Sequence, residues 1–162
     1  MPNWFALRVR PKHEKTVATN LSRLGLDGYV PLQKVRRQWS DRVKELDAPL
    51  FPGYIFCRFS YAERMRVLNH ASIVGPVDDS ELEALRTLVA CGKPLAHLPF
   101  LRIGQSVSIE QGPLAGIRGV VVRDHDAWRV VVSVEALDRS IAVEVDREVL
   151  QIWPSTSLEI AL

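Results

Sequence analysis

Apolar and polar residues alternate from Asn3 to Arg10, with Phe5, Leu7 and Val9 on one side and Trp4, Ala6, Arg8 and Arg10 on the other. A period of two predicts a half-buried strand. Pro11 ends it and suits the start of a helix, where its missing N–H costs nothing. The period then lengthens. Val17, Leu21 and Leu24 recur at helical spacing and predict a helix from about Lys12 to Leu24, with Gly25 as its C-terminal cap. Asp27 to Val35 reads as a second strand, and Arg36 to Leu46 as a protruding β-hairpin with Ser40-Asp41 near its tip. Pro49 to Phe59 is apolar, aromatic and β-branched or small at most positions, as a buried central strand requires. A short helix over Tyr61–Asn69 and a short strand over Ala71–Gly75 follow. A third helix starts at Asp78 or Asp79, buries Leu82, Leu85, Leu88 and Val89, and stops at Gly92. This order predicts an α+β domain, an antiparallel sheet flanked by helices.

Lys93 to Leu101 holds two prolines and no helical period, and reads as a semi-rigid linker. The last third changes character. Valine- and isoleucine-rich runs over Ser106–Glu110, Arg118–Arg123, Trp128–Glu135, Ser140–Val145 and Val149–Trp153 predict five short strands closing a small all-β barrel. The expected organisation is a first domain over 1–92, a linker over 93–102 and a barrel over 103–162.

Composition changes this picture in three places. The length, 162 residues, allows one ordinary domain or two small ones. No apolar run reaches membrane-span length and no signal-peptide pattern opens the chain, so a cytoplasmic protein is expected, with Cys57 and Cys91 as reduced, buried small hydrophobes. The net charge of +2 conceals an asymmetry: residues 1–44 carry ten Lys/Arg against three acids, while the rest of the chain is net acidic. The front is a candidate surface for a polyanion.

Catalytic chemistry has nothing to stand on. His13, His70, His97 and His125 are isolated, and the phosphate-loop, nucleophile-elbow and zinc-helix motifs are absent from the sequence. No enzyme activity, metal or cofactor is expected. Arg8, Arg10, Lys12, His13 and Lys15 are candidates to meet phosphates, with Arg10 and His13 also placed to read exposed bases. Arg36, Arg37, Arg42 and Lys44, with Trp39 between them, form a second cationic cluster with a stacking surface, although an ordinary solvated arm has the same composition. Trp4, Phe51 and Tyr54 are either core aromatics or a docking surface at the domain edge.

"NWFALRVRPKHEK", "PLFPGYIFCRF" and "GPLAGIRGVVV" stand in the order found in the NusG family of bacterial transcription elongation factors, and the resemblance covers most of the chain. It implies an NGN domain followed by an SH3-like KOW barrel, in a monomeric, soluble factor. In that family the residues matching Trp4, Phe5, Phe51 and Tyr54 border a pocket that docks on the clamp helices of the largest RNA polymerase subunit. The face around the first helix lies over upstream DNA and the non-template strand, which adds weight to Arg10, Lys12 and His13. The family's barrel meets a ribosomal protein or the termination factor Rho through the loop that is here Glu135-Ala136-Leu137-Asp138-Arg139, with Ala136 to Arg139 as the candidate contacts. Leu137 stands where general NusG proteins have phenylalanine, and with "DRSIAVEVD" the loop looks more like the specialised, operon-tied paralogues. The stretch Ile73–Val77 is shorter than the glycine-rich extension that relatives usually carry. The alternative, from a different class, is an RNA-binding or ribosome-associated KOW protein without polymerase function.

Overall fold

The computed structural model describes residues 1–99 and 104–152. It divides into two compact units, Met1–Asp79 and Ser80–Leu162. The division falls at the start of the third helix, ahead of the boundary expected after Gly92.

The first unit runs β1 (Asn3–Arg8), α1 (Glu14–Arg23), β2 (Asp27–Tyr29), β3 (Leu32–Gln38), β4 (Val43–Pro49) and β5 (Tyr54–Phe59). A 3₁₀ turn at Tyr61–Glu63 then leads into α2 (Arg64–Leu68) and β6 (Ser72–Val77). Its main sheet has the order β2-β5-β1-β6 and is antiparallel at every pairing. The strand predicted over Asp27–Val35 is two strands in different sheets. Pro31 lies between them, and its missing N–H cannot continue a ladder. Its carbonyl instead accepts the Leu50 N–H at 2.8 Å. From there, among the described residues, β3 and β4 pair only with each other and form the predicted arm, longer at its root than expected.

One face of the main sheet buries Leu7, Val9, Ile55, Cys57 and Phe59 against Ala18 and Leu21 of α1, Leu26, and Val67 of α2. The buried stripe of α1 is Glu14, Ala18 and Leu21, rotated from the expected Val17, Leu21 and Leu24; Leu24 is 37% exposed. Close approach at Gly28 accounts for the rotation. A Cβ there would lie 2.9 Å from the Ala18 carbonyl oxygen, so bare glycine lets the helix settle on its small residue. At β6 the register passes from Ala6↔Gly75 to Leu7↔Ile73, leaving Val74 as a bulge, and the strand continues to Val77. The short helix opens with a capping box that the sequence spells as Ser60-Tyr61-Ala62-Glu63. The Ser60 N–H and hydroxyl both donate to Glu63 Oε1, at 3.2 and 2.9 Å, and hold that carboxyl below its usual pKa.

The second unit takes α3 (Asp79–Ala90), then β7 (Leu95–Pro99), β8 (Gln105–Ile109), β9 (Arg118–Asp124), β10 (Ala127–Val134), β11 (Arg139–Val145) and β12 (Leu150–Ile152). The sheet order is β12-β8-β9-β10-β11-β7, so the last strand returns to pair with β8. All five predicted barrel strands are present, displaced by a residue or two at their ends; Trp153, the last predicted strand residue, and residues 100–102 of the predicted linker lie outside the described residues. Where a linker was expected, Leu95–Pro99 is a strand in antiparallel register with β11, from Leu95↔Val143 to Pro99↔Arg139. Its prolines do not prevent this. Pro94 precedes the ladder and Pro99 closes it, at the edge of the sheet.

Candidate functional site

Sequence and geometry converge at one end of the main sheet, where β1 leaves and β5 enters. Phe51-Pro52-Gly53-Tyr54 is a tight turn. The Tyr54 N–H donates to the Phe51 carbonyl at 3.0 Å, and Gly53 sits at φ 86°, which the third position of a type II turn requires. Two buried bonds lock this turn to the basic segment. The Val9 N–H donates to the Gly53 carbonyl, and the Gly53 N–H donates to Glu14 Oε2, both at 2.8 Å. Glu14 is only 3% exposed. The sequence reading missed it, since an acid in the first turn of a helix is ordinarily a solvated dipole partner. What could have found it is its position, four residues before Ala18 and seven before Leu21 on the buried stripe.

Glu14 thereby fixes the chain that carries the cations. The His13 N–H donates to the Arg10 carbonyl at 3.0 Å, His13 Nδ1 lies 3.2 Å from the Pro11 carbonyl oxygen, and Lys12 is held at φ 72°. A non-glycine residue there is uncommon and takes surrounding bonds to hold it. Arg8, Arg10, Lys12, His13 and Lys15 are all exposed, in the stretch that these bonds hold.

The aromatic candidates separate by face. Trp4, Ala6 and Arg8 point to the side of β1 opposite its core residues, paired with Arg58, Phe56 and Tyr54 of β5. Phe51 meets Phe56 edge-on, with centroids 6.3 Å apart, and Tyr29 lies 6.4 Å from the same ring. Trp4, Phe51 and Tyr54 therefore share a face. Phe5 does not: it lies on the core side, stacked on Phe59 at 4.5 Å. Trp4 and Phe51 are 7% and 2% exposed, so the half-buried Tyr54 is the ring of this face that the structure leaves within reach at the turn.

Arg36 and Arg37 are exposed on the arm, away from this end of the sheet in sequence and on opposite faces of their ladder. In the second unit, Leu137 of the β10–β11 connection is buried and is not an exposed anchor; Asp138, at φ 53°, and Arg139 are exposed, and Ala136 is half-buried. Trp128 has the guanidinium groups of Arg123 and Arg147 at 5.4 and 5.8 Å from its ring centre. Burial, and after it Arg139, keeps the His97 imidazole below its usual pKa. Cys57 is buried as expected, while Cys91 is only half-buried; its Sγ–H donates to the Leu88 carbonyl. Among the described residues no group of three His, Cys, Asp or Glu is placed to hold a metal ion, and no helix is long and apolar enough to cross a membrane.

This architecture has known counterparts. The family described as "Transcription termination factor nusG" matches residues 2–87, just over half of the chain. The transcription termination/antitermination protein NusG of Lactococcus lactis is 22% identical over 165 aligned positions, covering 88% of this chain and 89% of that protein. A solved structure titled "Domain interaction in Thermotoga maritima NusG" aligns over 95% of this chain and 98% of its own at 18% identity, with a TM-score of 0.51, a likeness of fold. The matched segment contains both the FPGY turn and the basic segment that Glu14 ties to it, and the chain belongs to the NusG family of transcription factors.

Proposed function

We propose that this protein is an elongation and antitermination factor that binds the clamp helices of RNA polymerase through its first domain, residues 1–92. By favouring the closed, elongating enzyme it suppresses pausing or termination, a shift of population rather than a chemical step. The observation that carries the reading is the Glu14–Gly53 bond. It holds an aromatic turn and a basic segment in one fixed relation, as a protein that must grip a polymerase and face its template would need. Tyr54 is the half-buried ring at the turn, Phe51 and Trp4 shape the surface beneath it, and Phe5 supports it from the core side. Arg8, Arg10, Lys12, His13 and Lys15 face upstream DNA or the non-template strand. The second unit recruits a protein partner through the exposed Asp138 and Arg139 of the β10–β11 connection, and the buried Leu137, which shapes that loop from inside, weighs against the ribosomal protein and Rho that general relatives engage.

The test is capture of core RNA polymerase by the full chain. Tyr54→Ala should abolish or strongly weaken capture while the circular dichroism and melting of the protein stay near wild type. Capture unchanged by Tyr54→Ala, or absent from the wild type, overturns the assignment. RNA binding indifferent to that change would favour the ribosome-associated alternative.

A further inference from the structure

The arm built by β3 and β4 has two chemically different faces, and the sequence alone does not show it. Its register pairs Lys34 with Asp47, Arg36 with Glu45, Arg37 with Lys44 and Gln38 with Val43. Trp39 and Arg42 close the tip, each donating its N–H to the other's carbonyl, at 2.7 and 3.4 Å. Directly paired residues point to the same side, and successive residues to opposite sides. Arg37, Trp39, Arg42 and Lys44 therefore share one face, with Val35 and Leu46 at its root. Lys34, Arg36, Glu45 and Asp47 share the other.

The second of these faces is neutralised. Each cation sits opposite an acid, and Lys34 Nζ also reaches Glu45 at 3.6 Å. The first carries three cations and no acid. Arg37 and Lys44 stand directly opposite one another, a like-charge pair that costs the ladder stability. Trp39 is 51% exposed beside them, with Lys44 Nζ 5.9 Å from its ring centre. Among the described residues neither Arg37 nor Arg42 has an ion pair. A repulsive pair and a solvent-facing indole at the same spot are poor choices for the arm alone, and good ones for an anionic, stackable ligand.

We propose that this single face is a binding surface for single-stranded nucleic acid: a base stacks on Trp39 while Arg37, Arg42 and Lys44 follow the backbone phosphates. Arg36, on the neutral face, takes no part. The proposal rests on the nucleic-acid side of the function above and narrows it to named residues.

The experiment measures binding of matched DNA and RNA oligonucleotides to the full chain by fluorescence anisotropy over a salt series. Arg36→Gln and Arg37→Gln remove the same charge from adjacent positions, so any difference between them belongs to the face. Arg37→Gln and Arg42→Gln should each weaken binding and flatten the salt dependence by roughly 0.7 in slope, as loss of one single-strand phosphate contact does. Arg36→Gln should leave both unchanged. Trp39→Ala should weaken binding roughly tenfold or more, with Trp39→Phe in between. The DNA and RNA arms show which strand is preferred. Equal losses from Arg36→Gln and Arg37→Gln, or indifference to Trp39→Ala, would reduce the arm to a general positive charge that an acidic protein satisfies as well. Wild-type protein that captures polymerase yet ignores both oligonucleotides overturns this inference and leaves the polymerase assignment standing.

Discussion

The first unit carries two cationic regions built in opposite ways. The segment Arg8–Lys15 is pinned: its backbone bonds to the FPGY turn, and a buried carboxylate anchors it from beneath. The arm over β3 and β4 holds to its own ladder, with its tip residues exposed on every side. The pinned segment meets a ligand already in shape, so its affinity depends on the elements behind it. The arm is shaped by its own ladder, with no element behind its tip among the described residues, so its contribution depends on the side chains it presents. Similar charge, differently supported, gives different sensitivity to mutation.

The comparison breaks most severely at Phe51. Phe51→Ala removes a buried ring and should cost about 3–5 kcal/mol in urea unfolding, taking the turn and the basic segment with it and leaving the ladder of the arm intact. Cys57 gives a direct readout. Burial, followed by the nearby Asp27 and Glu63 carboxylates, pushes its thiol up to about 12, so in the wild type at pH 8 it should resist Ellman's reagent while Cys91 reacts. In Phe51→Ala it should become reactive.

Next comes Glu14→Ala, which leaves the buried Gly53 N–H without its acceptor and should cost about 1–3 kcal/mol. Every cation remains. Oligonucleotide binding should therefore weaken while its salt slope stays the same, and a flattened slope would show that the pinning does not act through shape. Arg37→Glu sharpens the contrast from the other side. It turns a repulsive cross-strand pair into an attractive one and should stabilise the arm by about 0.2–1 kcal/mol, read by hydrogen exchange of the β3–β4 amides, while reducing nucleic-acid binding. The smallest effect is Trp39→Ala on stability, within about 0.5 kcal/mol, since the ring is largely in solvent.

The parts legible in the sequence were those in which one local signal decides the structure. The FPGY turn follows from proline and glycine in adjacent positions, and the barrel strands from dense β-branched residues between turns. What escaped needed a second element. The rotation of α1 depends on Gly28 lying beneath Ala18, and Glu14 reads as a surface acid until Gly53 arrives to bond it. Phe5 and Trp4 separate by simple alternation, the first toward the core and the second toward the face that Phe51 and Tyr54 share. Arg36 and Arg37 fall on opposite faces by the same alternation, but only the register of β3 on β4 shows that an acid, Glu45, stands opposite the first and a cation, Lys44, opposite the second. The strand at Leu95–Pro99 was hidden by its prolines, which a sheet edge tolerates.

That strand has a consequence for how the protein keeps to itself in a crowded cell. Along five positions β11 is shielded by the chain's own Leu95–Pro99, and behind the shield lies Arg139–Val145, whose middle residues are Ile141, Ala142 and Val143. Stripped of its cover, that row of unpaired amides and carbonyls would be a ready template for a stranger's strand, and the barrel would begin to aggregate.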